Sequence, residues 1–216
     1  MVRPLPDLDT GLRRNNPVVM DNLMPPTLTT PRLILRAHTA ADHPACCALW
    51  GDPGVTRFIG GRPSTPEEVW QRILRYAGLW QLLGYGYFLA TDRETSAVIG
   101  EFGLADFHRD ITPPLGDTPE AGWAMLPQYQ GRGLAHEALS AILEWADQTM
   151  PRTVCMIDPD NAPSLKLAAK LGYTEYARTT YKDSATILHA RSRDSTTHPP
   201  AVTPGLDSKA LHFASS

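Results

Sequence analysis

The residues with the clearest chemical purpose are Gln130-Gly131-Arg132-Gly133-Leu134, set between an apolar run that ends near Leu126 and the start of a helical repeat. Glycines at 131 and 133 permit positive φ and let a ligand approach the main chain. Several N–H groups then point one way at a helix N-terminus, an arrangement that attracts anions, phosphate above all. Two familiar phosphate loops do not fit: the lysine and Ser/Thr of a nucleoside-triphosphate loop are missing after Gly133, and the third glycine of a dinucleotide fingerprint would fall at His136. A close backbone crossing without a ligand would call for the same two glycines. A second constellation, Asn161-x-x-Ser164, stands at the head of another apolar helix and by itself reads as a helix cap.

These groups need a scaffold. Gly122 to Leu126 is an apolar run with aromatic content, closed by Pro127, which predicts a buried strand. Leu134, Ala138, Ile142 and Ala146 recur at helical spacing, with Ala135 and Leu139 widening the stripe, so this helix lies on a sheet. Upstream, Leu33 to Leu35 between two arginines is a first strand, and Ala40 to Trp50 is helical with a start delayed by Pro44. Ser64-Thr65-Pro66-Glu67-Glu68 carries an N-cap, a proline at the first helical position and a capping box, for a helix running to about Leu83 and stopped by Gly84. Tyr85 to Thr91 and Ala97 to Ala105 form an antiparallel hairpin, and a proline-broken loop, His108 to Thr118, leads to the strand opened by Glu120. Thr153 to Ile157, a helix from Asn161 to Gly172, and a strand pair at Tyr173 to Ala177 and Thr186 to Ala190 complete the pattern. The result is an α/β chain of seven strands and four helices with a mixed sheet. Residues 1–27 read as a flexible arm, 28–193 as one domain, and 194–216 as a disordered tail rich in Ser, Thr, Pro and Gly.

Composition narrows the function. At 216 residues and 42% hydrophobic content the chain can build one sizeable core. A formal charge of −3 gives no basic footprint for nucleic acid. Cys46, Cys47 and Cys155 are an odd set without CxxC spacing, so reduced thiols and no metal centre are expected. No apolar run approaches the roughly 20 residues that span a bilayer, and no signal-peptide core opens the chain, which points to the cytoplasm and to no membrane partner. A homodimer is compatible with the sequence and not specified by it.

The spacing Gln128-x-x-Gly131-x-Gly133 resembles the pyrophosphate loop of the GNAT superfamily of N-acetyltransferases. LTTPRLILR, GDPGVTRFIGG, TPEEV, VIGEFGL and DNAPSLKLAAKLGYTE extend the resemblance over about residues 28 to 193, toward the branch that contains the ribosomal-protein alanine N-acetyltransferases. It implies a mixed, mostly antiparallel central sheet with helices on both faces, acetyl-CoA as co-substrate and an amine acceptor, either a peptide N-terminus or a small molecule. It also implies that Gln130, Gly131, Arg132, Gly133, Leu134 and Ala135 hold the pyrophosphate, that Ala124, Met125 and Leu126 flank the pantetheine arm, and that Asn161 and Ser164 meet the same arm. Arg132, Lys166 and Lys170 are within reason for the phosphates, although each also reads as a solvated helix charge. Ser164 is the implied acid for the departing sulfur, because the tyrosine that many members use falls at Ala168; Tyr173 is the fallback. For the amine, Glu120 leads Glu101 and His108 as the group that orders or deprotonates it. Two other readings compete: a non-catalytic acyl-CoA-binding module, and a dinucleotide oxidoreductase, which the missing third glycine and the preceding hairpin disfavour.

Overall fold

The computed structural model describes residues 25–193, so residues 1–24 of the arm expected over 1–27 and the tail from 194 lie outside the described residues. Eight strands form one sheet: β1 (Leu28–Thr29), β2 (Leu33–Arg36), β3 (Tyr87–Asp92), β4 (Val98–Ala105), β5 (Glu120–Met125), β6 (Arg152–Ile157), β7 (Thr174–Tyr181) and β8 (Ser184–Ser192). Five helices cover it: α1 (His43–Trp50), α2 (Pro53–Thr56), α3 (Pro66–Leu83), α4 (Leu134–Ala146) and α5 (Ala162–Lys170). The sheet order is β1-β2-β3-β4-β5-β6-β8-β7. Every neighbouring pair is antiparallel except β5 and β6.

Local chemistry explains most boundaries. Thr65 accepts the N–H of Glu68, Glu68 returns a bond to the Thr65 N–H, and Gly84 closes α3 in the left-handed region at φ 74°. Pro127 ends β5 by opening a single 3-10 turn, Pro127–Tyr129. Leu126, expected inside the strand, falls just past it, although its N–H still reaches Ile99 C=O at 3.0 Å. Two elements exceed the sequence expectation. β1 has only two residues, too few for any periodicity, and α2 is a four-residue turn, capped by Asp52 and opened by Pro53, that is too short to carry a helical repeat. β7 and β8 also run longer than expected, because β7 is largely exposed and lacks an apolar alternation, and because Lys182 and Asp183, at φ 47° and 64°, make a tight hairpin turn without glycine.

The two faces of the sheet are packed differently. Ala121, Trp123 and Met125 of β5 join Phe88, Phe102 and Leu104 against α4 and α5. Ala124 faces the other way, with Leu89 and with Trp50, Val69 and Ile73 of α1 and α3. Side chains alternate along a strand, so Glu120, Gly122 and Ala124 belong to the α1/α3 face, and the odd-numbered residues of β5 to the α4/α5 face.

Candidate active site

The site begins where the sheet fails to close. β5 and β6 are registered at a single pair, Glu120 with Val154, supported by the Val154 N–H to Pro119 C=O bond at 3.0 Å. Beyond that point no β5–β6 ladder is recorded among the described residues, although both strands continue for several residues toward their C-terminal ends. The parted edges expose backbone N–H and C=O groups to an extended ligand, which is how a sheet accepts an added strand.

The C-terminal end of β5 leads directly into the glycine turn. Gly131 and Gly133 have φ of 73° and 77°. A Cβ at Gly131 would meet nothing within 4 Å, so the need for glycine is the backbone conformation and the open space above it, not crowding. Gly133 is the N-cap of α4, no side chain caps this helix, and its first internal bond is Glu137 N–H to Gly133 C=O at 3.1 Å. By contrast α2, α3 and α5 are capped by Asp52, Thr65 and Asn161. Uncapped N–H groups and the helix dipole together suit a phosphate. Leu134 is buried and offers only main chain to the turn, Ala135 is partly buried, and Gln130 donates to Met125 C=O at 3.3 Å, tying the turn to β5. Arg132 is exposed and lies over the Tyr129 ring.

Glu137 would oppose an anion in this first turn, but its carboxylate is engaged. It accepts from Thr30 Oγ1 at 2.6 Å, from the Arg32 N–H at 2.8 Å and from Arg32 Nε at 2.6 Å. Burial raises its pKa, and these Thr30 and Arg32 contacts outweigh burial and hold it below the ordinary carboxylate range. Arg32 also donates to Arg132 C=O at 2.9 Å, so one arginine from the β1–β2 turn neutralises the carboxylate and braces the glycine loop.

Across the opening, Asn161 Oδ1 accepts the Ser164 N–H at 3.2 Å and is the N-cap of α5. Ser164 Oγ accepts from Trp123 Nε1 at 3.1 Å. This bond joins β5 to α5 and leaves the serine proton free to be donated elsewhere. Ala168 is fully buried, and Tyr173 bonds Thr153 at 2.7 Å inside the α4/α5 core, which makes it a packing group. Lys170 is exposed in the last turn of α5, where it suits the helix dipole, and Lys166 is exposed one turn earlier.

The three groups weighed for the amine have separate environments. Glu120, 6% exposed, sits at the apex where β5 and β6 part. Both of its oxygens accept from Arg109, Nη2 at 2.7 Å and Nε more closely still. Arg109 donates in turn to Tyr181 Oη at 3.1 Å and lies over the rings of Phe107 and Tyr181. Glu120 and the 105–109 and 114–118 segments line a cavity of about 270 Å³. His108 is exposed on that loop. Glu101 is completely buried on β4, accepting from Trp50 Nε1 at 2.9 Å with His38 Nε2 at 3.2 Å. Burial raises the Glu101 pKa, but His38, Trp50 and Arg72 together bring it below the ordinary range. Cys46 completes this knot: one ligand-type atom from each of His38, Cys46 and Glu101 lies within 4.8 Å of the others, a proximity invisible in the sequence spacing. Arg109, Tyr181 and Arg32 carry no site signal in the sequence, and Trp123 reads there as a core aromatic or a substrate wall.

A split between two parallel strands, an uncapped helix N-terminus beside it and a hydroxyl on the opposite wall together form an open cleft with room for an extended anionic ligand. The family model described as an acetyltransferase (GNAT) domain matches residues 32–174, and the chain therefore belongs to the GNAT acetyltransferase family. It is an acetyl-CoA-dependent N-acetyltransferase by class. Among curated relatives, an uncharacterised N-acetyltransferase of Bacillus licheniformis, p20, is 27% identical over 150 residues, covering 68% of this chain and 82% of p20. A Bordetella pertussis structure assigned to the GnaT acetyltransferase family is 31% identical with a TM-score of 0.70, over 77% of this chain and 99% of that one. The yncA structure of Salmonella typhimurium, solved with acetyl-CoA, shares the fold at 23% identity and a TM-score of 0.59, over 78% and 98% of the two chains. Ribosomal-protein acetyltransferases are also among the chains of this fold. No helix among the described residues is long and apolar enough to cross a membrane.

Proposed function

We propose that the chain transfers an acetyl group from acetyl-CoA to a primary amine, a peptide N-terminus or a small molecule, with the thioester held at the apex of the β5–β6 opening. The carrying observation is the single Glu120–Val154 pair followed by parted strands that lead to an uncapped α4. In this reading the pyrophosphate lies on the Gln130–Ala135 turn, with Arg132 and Lys170 serving the phosphates. The pantetheine arm runs along Ala124 to Leu126, and Asn161 faces it from α5. Ser164 gives its proton to the sulfur as the C–S bond breaks, and the Trp123 N–H bond polarises the hydroxyl for that donation. Glu120, held by Arg109, orders the incoming amine from the cavity side. A terminal amine with a pKa near 8 loses its proton to solvent readily, whereas a lysine near 10.4 asks more of Glu120.

The test begins with thiol release from acetyl-CoA in the presence of an amine panel, together with calorimetry. Wild type binds acetyl-CoA and releases thiol with at least one amine; binding without release identifies a carrier module instead. Gly131→Val and Gly133→Val, which strain a positive φ and fill the cradle, weaken acetyl-CoA binding by about tenfold or more. Unchanged affinity in both folded variants removes the pyrophosphate from this turn.

A further inference from the structure

We infer that the Tyr87 hydroxyl is a further catalytic group of the acetyl transfer, meeting the acceptor amine on the α1/α3 face of the sheet and aiming it at the thioester carbon. The inference rests on the cleft reading above and concerns a side chain that this reading leaves idle.

Tyr87, Gly103 and Gly122 form one rung across β3, β4 and β5. Glycines at both partner positions let the tyrosine lie across β4 and end on β5. A Cβ at Gly103 would come within 2.4 Å of the Tyr87 Cα, and one at Gly122 would lie 1.9 Å from the Tyr87 hydroxyl oxygen. An aromatic ring laid over glycines in a sheet can be simple packing. At Gly122, however, the clash is with the oxygen, while the ring carbons Cζ and Cε1 are at 3.1 and 3.7 Å. The glycine is therefore needed chiefly for the hydroxyl, and a phenylalanine would leave room for nearly an ordinary Cβ.

The position of that oxygen gives it a use. Gly122 follows by two residues the last β5–β6 pair, and Glu120 precedes it on the same face. Ser164 approaches β5 from the opposite face through Trp123. A thioester in the plane of the opening would thus have the leaving-group acid on one side and Tyr87 with Glu120 on the other, which is the disposition that attack and departure require. Tyr76 fixes the ring by stacking at 4.5 Å and 8°. Burial and the nearby Glu120 charge push the Tyr87 hydroxyl well above the ordinary tyrosine range, so it stays protonated. It neither takes nor gives a proton. Its oxygen accepts one N–H of the neutral amine, which turns the nitrogen lone pair toward the carbonyl. The nitrogen forms the bond to the acetyl carbon, the C–S bond breaks, the sulfur takes the Ser164 proton, and the surplus amine proton passes by way of Glu120 to water. Ser164 is then reprotonated by solvent.

The experiment measures initial rates with acetyl-CoA and an amine that wild type acetylates, so a failure of the cleft reading is visible in wild type before any variant is made. Tyr87→Phe keeps the stack on Tyr76 and is expected to lower kcat/KM for the amine about 10- to 100-fold, with acetyl-CoA affinity changed by less than about twofold. Gly122→Ala displaces the hydroxyl and gives a similar loss in the wild-type background, but little further loss in Tyr87→Phe. A Tyr87→Phe enzyme within about twofold of wild type overturns the inference. So does an equal Gly122→Ala loss in both backgrounds, which would make the defect one of packing.

Discussion

Ser164 and Glu120 are proposed to divide the chemistry between two sides of one strand, and each invites a specific test. Ser164→Ala is expected to reduce turnover by about 100-fold, the lower end of what a positioned acid contributes, and to change acetyl-CoA affinity little. A wild-type rate in that variant assigns thiolate protonation to water. Glu120→Gln is expected to lower turnover by at least about 100-fold, with the deficit shrinking as pH rises because solvent then supplies more free amine. A pH-rate series on one acceptor reads this directly, and a pH-independent deficit assigns Glu120 to positioning alone. The alternatives Glu101 and His108 fare differently. Glu101 is sealed beneath Trp50 and His38, and His108 stands in solvent.

At the scale of elements, helix α5 carries two duties on one residue. Asn161 caps the helix, and it is also proposed to face the pantetheine arm. Asn161→Ala is expected to cost about 1 kcal/mol of folding stability from the lost cap. Asn161→Asp keeps an acceptor at the cap and places a charge by the cofactor, so it separates the two duties: denaturant midpoint nearly retained, acetyl-CoA affinity lowered in calorimetry. Equal affinity in wild type and both variants confines Asn161 to capping. Helix α4 shows the opposite economy, with a bare N-terminus and its Glu137 occupied by Thr30 and Arg32.

Over the whole molecule, the α1/α3 side is secured by ion pairs whose strength depends on pH. Asp42 bonds Arg36 at 2.7 and 2.8 Å and accepts from the Thr39 N–H and hydroxyl. Burial alone would raise its pKa, but these bonds outweigh burial and lower it to about 2. An unfolded aspartate titrates near 3.9. A depressed folded value means that the contribution is fully present above about pH 4 and is lost as pH falls toward about 2. Asp42→Asn is therefore expected to melt below wild type at neutral pH, with the gap closing across that acid window. A gap that persists unchanged at about pH 2 assigns the effect to packing.

The sequence alone determined what depends on neighbours along the chain. Thr65-Pro66-x-Glu68, the glycine spacing at 131 and 133, Pro127 as a strand stop and Asn161 as a cap all act within a turn or two, and the folded chain uses each where the local rule put it. The α/β class followed from the order of the elements along the chain. Tertiary structure decided what depends on distant partners: that Arg109 takes Glu120, that Trp123 reaches Ser164 across the opening, that Arg32 satisfies Glu137, and that Tyr87 ends on Gly122. The parting of β5 from β6 belongs to the same group. Register between parallel strands joined by a helix is set by how that helix packs on the sheet, and no stretch of either strand records it.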